Sequence, residues 1–207
     1  MIKQIIALTL AGCLFSCQQS QKEVGNQLDE NKFVHVEGAC LIEPDGDTLH
    51  IKGTNLGNWL NPEGYMFGFT NTNSARMINQ MFCELVGPDF TADFWKQFKD
   101  NYITRRDIEF IAGLGANTIR LPFHYKLFTD EDYMGLTAEQ DGFARVDSVV
   151  NWCRDNKLYL ILDMHDAPGG QTGDNIDDSY GYPWLFESER SSSYSVISGE
   201  TLLKGIK

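Results

Sequence analysis

The sequence predicts an α/β fold built on a parallel sheet, and three observations lead there. Apolar, β-branched segments alternate with segments of helical period in the order strand, helix, strand, helix, strand. That order calls for parallel strands joined by right-handed helical crossovers. Residues 158–164 (Leu-Tyr-Leu-Ile-Leu-Asp-Met) are almost continuously apolar, as a strand covered on both faces is. Residues 143–156 place Val146, Val149, Val150 and Cys153 at i, i+3, i+4 and i+7, which is one buried helix face.

The elements follow in order. Residues 33–51 read as two short strands about the turn Glu43-Pro44-Asp45-Gly46-Asp47, because Pro presets φ and Gly accepts a positive φ. A strand over 49–55 runs into Gly53-Thr54-Asn55-Leu56-Gly57-Asn58-Trp59. Ser74 caps a helix that Gly87 stops, Thr91 caps a second helix reaching Asn101, and Thr104 opens a third. That third start has the form of a capping box with Asp107 in the acceptor position. The next strand is 117–123, whose ladder Pro122 is expected to stop. In parallel α/β folds the functional groups gather at the C-terminal strand ends. Here those ends are 55–59, 120–125 and 165–171, rich in polar and aromatic residues.

Composition narrows the function. The chain has 207 residues, 42% hydrophobic and 22% charged, with a net charge of −12. This is the make-up of a globular domain, and it disfavours nucleic acid and anionic membrane surfaces as partners. Gly113-Leu114-Gly115 ends a helix instead of opening one, so a nucleotide cofactor is not indicated. No CxxC or Cys/His cluster is present, and neither a metal nor any other cofactor is expected. Cys40, Cys83 and Cys153 allow at most one disulfide. Cys153 on the apolar helix face reads as a buried free thiol.

The first residues read as an export signal. Lys3 precedes an apolar run that is too short to span a bilayer. Cys13 and Cys17 each end a segment resembling a bacterial lipoprotein box. Cys17 leaves the more normal apolar length and precedes a polar run, so it is the preferred lipidation site, with Cys13 as the alternative. Plain secretion with cleavage near Ser16 is the other reading. The organisation expected is a signal over 1–17, a flexible tether over 18–32, the fold over 33–189, and an atypical tail over 190–207. The expected location is outside the cytoplasm, as a bacterial lipoprotein of the outer membrane, periplasm or cell surface, held to the membrane only through a lipid anchor.

Three segments together resemble glycoside hydrolase family 5, over residues 49–189: Gly53-Thr54-Asn55-Leu56-Gly57-Asn58-Trp59-Leu60, then Gly115-Ala116-Asn117-Thr118-Ile119-Arg120-Leu121-Pro122-Phe123, then Leu162-Asp163-Met164-His165-Asp166-Ala167-Pro168-Gly169-Gly170-Gln171. The resemblance implies a (β/α)8 TIM barrel, here incomplete: about three βα units after an N-terminal hairpin. It implies a retaining glycosidase acting on a β-glucan. Arg120 resembles the arginine that holds the nucleophilic carboxylate ionised, and His165 the histidine that contacts sugar beside the cleaved bond. Asn55, Trp59, Tyr125, Asp166, Gln171 and Trp184 are the implied sugar contacts.

Other readings stand beside these. Arg120 reads also as a strand ion-pair partner, His165 as a structural histidine, and Tyr125 and Trp184 as loop packing. Residues 163–166 with His124 read also as part of a metal site, which normally needs three ligands. Retaining glycosidases need two carboxylates about 5–5.5 Å apart. The family places them as glutamates after the fourth and seventh strands, and neither can be assigned in this sequence. One codon choice for residues 197–207, read two bases later, encodes the amphipathic run Leu-Trp-Arg-Asp-Ile-Ala-Glu-Arg-Tyr-Lys. A frameshift near Glu189 in a longer gene is therefore expected, together with a chain inactive by itself. A non-catalytic carbohydrate-binding lipoprotein is the alternative, and a metal-dependent hydrolase the third.

Overall fold

The computed structural model describes residues 33–131, 133–134 and 139–205. The export signal, Cys13, Cys17 and the tether lie outside the described residues. Strands β1 (His35–Glu37) and β2 (Cys40–Ile42) form an antiparallel hairpin that pairs His35 with Ile42. It turns at Gly38, where φ is +60°, and not at Pro44 as the sequence led us to expect. The Pro-Asp-Gly turn does form just afterwards: the Glu43 N–H donates to the Asp47 carbonyl at 2.8 Å, and the Gly46 N–H to the Glu43 carbonyl at 2.9 Å. Its far arm makes only the single bridge from Ile42 to Thr48.

A parallel sheet of order β3-β4-β5 carries the rest. Strand β3 (Gly53–Asn55) is shorter than the seven residues expected. Before it, the Asn117 side chain takes the place of a ladder, accepting from the Lys52 N–H at 2.8 Å and donating to the His50 carbonyl at 2.9 Å. Gly53 has to be glycine, because a Cβ there would stand 2.0 Å from the Thr118 carbonyl oxygen.

Three helices lead to the next strand. In α1 (Ala75–Val86) the Ser74 hydroxyl accepts from the Met77 N–H, and Gly87 ends the helix at φ 88°. Helix α2 (Pro88–Asn101) starts three residues before Thr91. Proline suits the first helical position, and the Thr91 hydroxyl donates back to the Gly87 carbonyl at 2.8 Å. Thr91 is thus a first-turn residue and not the cap. Helix α3 (Arg105–Gly113) has the expected capping box, with the Thr104 N–H donating to Asp107 at 2.7 Å. Trp95, fully buried, joins Phe67, Phe82 and Phe98 in an aromatic cluster that packs α1 against α2.

Strand β4 (Thr118–His124) passes through Pro122 without stopping, paired to β5 (Tyr159–Asp166) along its length. Residues of one parity present their backbone groups to one neighbour. The Arg120 carbonyl and the His124 N–H both bond on the β3 side, to Leu56 and Leu60. Pro122 faces that side between those two contacts, so its missing N–H removes no ladder bond. Helix α4 (Glu139–Asp155) buries Val146, Val149 and Cys153 as expected. They join Ile108, Ile119, Leu121 and Phe123 in the core. Among the described residues strand β5 pairs only with β4, and Ile161 is 41% exposed. It is an edge strand, not one covered on both faces. A loop, α5 (Trp184–Glu187) and α6 (Glu189–Gly205) follow. The unusual serine-rich composition after Glu189 is therefore helical, and its Ser195 hydroxyl reaches Met164 Sδ on β5 at 3.8 Å. Among the described residues no helix is long and apolar enough to cross a membrane.

Candidate active site

Two polar clusters sit at the C-terminal ends of β3, β4 and β5. The first is half-exposed. Alternation along the paired strands sets Arg120, Asp163 and His165 on one face. The Arg120 guanidinium donates to Asp163 Oδ2. His165 Nδ1 lies 3.1 Å from the same guanidinium and 3.0 Å from Asp163 Oδ2. His165 Nε2 points toward Glu63 Oε1, 3.9 Å away, which is beyond hydrogen-bond reach. Glu63 is buried, its N–H donating to Asn58 Oδ1 at 3.1 Å and its carboxylate accepting from the Tyr65 hydroxyl at 3.4 Å. Arg120 thus has a carboxylate partner within the chain, the strand ion pair that was its second reading. The guanidinium and imidazole still face outward together, beside a second carboxylate that sequence reasoning had not singled out. Asn55, exposed, ends β3 in register with Arg120.

The second cluster is buried. His124 stacks between the rings of Tyr125 and Tyr133, with centroids 5.0 and 4.5 Å away. Its Nδ1 accepts the Lys126 N–H at 3.2 Å, so the ring proton belongs on Nε2. That N–H donates to Asp178 Oδ2 at 3.1 Å. Burial lowers the His124 pKa, and the hydrogen bond to Asp178 offsets this only in part. Burial would raise Asp178, but the bonds from His124, the Ser74 hydroxyl and the Arg76 N–H outweigh it and hold the carboxyl below its usual range. Asp178 therefore stays ionised at the N-terminus of α1, where the helix dipole favours an anion.

Asp166 is different. It is 1% exposed, its Oδ1 accepts from Asn61 Nδ2 at 3.2 Å, and its Oδ2 has no hydrogen-bond partner among the described residues. Burial first, then the charges of Asp178 and Asp177, push its carboxyl up to about 8.

His124, Asp166 and Asp178 each offer a ligand atom within 4.8 Å of the others, the spacing of a cation site. A metal-bound imidazole donates its second N–H outward. Here Nδ1 is an acceptor, and Nε2 has no free lone pair for a metal. The donor set does not suit one.

The remaining expected sugar contacts divide. Trp59 is in the core, 2% exposed, with its indole N–H donating to the Lys99 carbonyl at 2.8 Å; it offers no ring face to a ligand. Asp166 is likewise closed off. Gln171 ties the loop after β5 to itself, accepting from the Ala167 N–H at 3.2 Å and donating to the His165 carbonyl. Tyr125 and Trp184 do line a common cleft of about 80 Å³, with Gly169, Gly170 and Tyr180. Trp184 is 49% exposed and packs beside Tyr182 at 4.9 Å. Asp178, Asn61, Glu63 and Tyr180 were missed. Asp178 sits in an ordinary-looking acidic run, and only the fold places it against His124.

Comparison with known proteins gives the family and supports the fold. A β-xylosidase of Phanerodontia chrysosporium is 32% identical over 147 residues, which is 71% of this chain and 30% of that protein. A glucan 1,3-β-glucosidase of Kluyveromyces lactis is 30% identical over 65% of this chain and 35% of its own length. The chain thus spans about a third of these relatives. The rutinosidase structure from Aspergillus niger superposes with a TM-score of 0.59 at 23% identity, covering 73% of this chain and 43% of that one; it supports the fold, of which three parallel strands are seen here. Residues 66–194 match the family described as Cellulase (glycosyl hydrolase family 5), and the chain belongs to that family.

Proposed function

We propose that this chain provides the first three strand–helix units of a retaining glycosidase that hydrolyses a β-linked glucan. The observation that carries the reading is the meeting of Arg120, Asp163, His165 and Glu63 at the strand ends. A guanidinium there would hold a neighbouring carboxylate nucleophile ionised. The neighbouring imidazole and Glu63 are placed to bond sugar hydroxyls. Asn55, Tyr125 and Trp184 are the proposed further contacts, with the flat ring of Trp184 covering an apolar sugar face. The two catalytic glutamates are not assigned among the described residues, where β3, β4 and β5 end in Asn55, His124 and Asp166. By itself the chain is therefore proposed to bind oligosaccharide without cleaving it.

The test uses the purified chain with soluble β-1,3- and β-1,4-glucans. Saturable binding that weakens in Arg120→Ala and Trp184→Ala, with no reducing sugar released, is the expected result. Release of reducing sugar would overturn the inactive reading, and absence of any glucan binding would overturn the site. The aromatic pair Tyr182–Trp184 also favours a second reading, a purely carbohydrate-binding protein. Joining the missing family glutamates in a longer chain and recovering no hydrolysis would select it. Export and acylation at Cys17, or at Cys13, belong to the proposal as well. Radiolabelled palmitate incorporated in the wild type and lost in Cys17→Ala is the expected outcome, and loss in Cys13→Ala instead would move the anchor.

A further inference from the structure

The buried cluster behind the candidate site has one imidazole proton for two carboxylates. With Nδ1 of His124 accepting from the Lys126 N–H, the only imidazole proton is on Nε2, and Asp178 receives it. Asp166 Oδ2 stands 3.6 Å from the same nitrogen and receives no hydrogen bond from the described residues. Asp178 is well supplied: the Arg76 N–H reaches it at 3.3 Å, the Arg76 Nε stands 3.8 Å away, and Ser74 also bonds it. Asp166 has only Asn61.

The groups facing Asp166 do not repair the deficit. From the loop after β3 come Asn61 and Glu63, from β4 His124, and from the loop after β5 Asp177 and Asp178, and Tyr133 is near enough for the charge of Asp166 to act on it. Around His124 stand Lys126 and Glu131. Lys126 lies 3.5 Å from Glu131 and acts on the imidazole rather than on Asp166. A dry carboxylate with a bare oxygen, ringed by three further acids, is tolerated as the neutral acid.

We propose that Asp166 carries a proton that lets His124, Asp166 and Asp178 share one buried space, and that losing this proton releases the loop over residues 167–183 from the strand ends. The device is a latch that opens in alkali. The strain it holds is visible at Asp178, a non-glycine residue at φ +58°, which costs energy that the surrounding contacts offset. The same loop carries Gly169, Gly170 and Tyr180 of the cleft, so release would reshape that cleft's wall. The reading stands without any statement about glycans, because its measurements use the unliganded chain.

The experiment follows the ¹³C carboxyl shift of Asp166 and amide hydrogen exchange, corrected for intrinsic rates, in the 207-residue chain. The Arg76 and Ser179 amides, held by Asp178 and Asp177, are the probes. In the wild type Asp166 is expected to titrate near pH 8, and protection at both amides to fall about ten-fold per pH unit between roughly 6.5 and 8. In Asp166→Asn, which keeps the shape without the charge, protection is expected to be flat over that range. Titration of Asp166 near pH 4 would overturn the proposal. So would a parallel loss of protection in Asp166→Asn. If that variant fails to fold, the wild-type carboxyl titration decides alone. Stoichiometric uptake of Zn²⁺, Mn²⁺ or Ca²⁺ by the dialysed chain, abolished in Asp166→Asn, would put a cation where the proton is proposed and would also overturn it.

Discussion

His124 at the end of β4 donates its Nε2 proton to Asp178, 54 residues later in the chain, at 3.1 Å. This bond fastens the loop after β5 across the strand ends, and it determines where the cleft lined by Tyr125 and Trp184 can form.

Removing the acceptor exposes the value of that fastening. Asp178→Ala leaves a buried N–H on His124, a Ser74 hydroxyl without its acceptor and an uncapped Arg76 amide. Loss of one partner from such a network costs about 2–4 kcal/mol. Urea unfolding should show this as a lower midpoint with an unchanged slope.

The pH dependence of global stability has two opposing parts. Burial lowers the pKa of His124, so the unfolded chain binds the extra proton and stability rises with pH up to about 6.5. Burial and neighbouring acids raise Asp166 to about 8, so the folded chain binds the extra proton from about pH 4 to pH 8, and stability falls with pH. Below about 6.5 the two slopes oppose each other. Above 6.5 only Asp166 acts, and stability should fall by about 1.4 kcal/mol per pH unit until pH 8. Thermal or urea unfolding at pH 5, 6.5 and 8 measures it, and Asp166→Asn should remove the decline.

The two tryptophans should separate. Trp59→Ala empties a core position and breaks the bond to the Lys99 carbonyl, costing about 3–5 kcal/mol. Trp184→Ala should leave the unfolding midpoint within about 0.5 kcal/mol of the wild type and weaken glucan binding, read by calorimetry. Destabilisation by Trp184→Ala equal to that of Trp59→Ala would contradict the assignment of the exposed ring.

The thiols should differ in reactivity. Burial pushes the Cys153 thiol up to about 11, whereas Cys40 is exposed. Thiolate is the reactive form. At pH 8 a disulfide reagent should modify Cys40 in the folded chain at once and Cys153 only after denaturant is added.

Gly53→Ala should disrupt the β3–β4 junction. Its Cβ would meet the Thr118 carbonyl oxygen at 2.0 Å, so the strands must part. A cost of about 2–3 kcal/mol is expected, together with faster amide exchange at Thr118.

Local patterns alone determined much of this molecule. Ser74, Gly87 and the Thr104–Asp107 box mark helix ends, because capping is decided within a few residues of chain. The spacing of Val146, Val149 and Cys153 gave the buried face of α4, because helical period is local too. Arg120 and His165 were legible as strand-end residues from short segments, and the fold brings them within 3.1 Å of each other. Tertiary structure decided the rest. Thr91 lost the cap position to Gly87 and Pro88, a competition between adjacent signals. Pro122 stayed within its strand because β3 had already ended beside it, which depends on a neighbour 65 residues away. Trp59 went inward although its segment resembles a sugar-binding one, since only packing against α2 reveals which way the indole turns. Asp166 and Asp178 carry no local mark of their roles. A carboxylate's charge state depends on what surrounds it in space, and the fold alone brings one imidazole proton between these two acids.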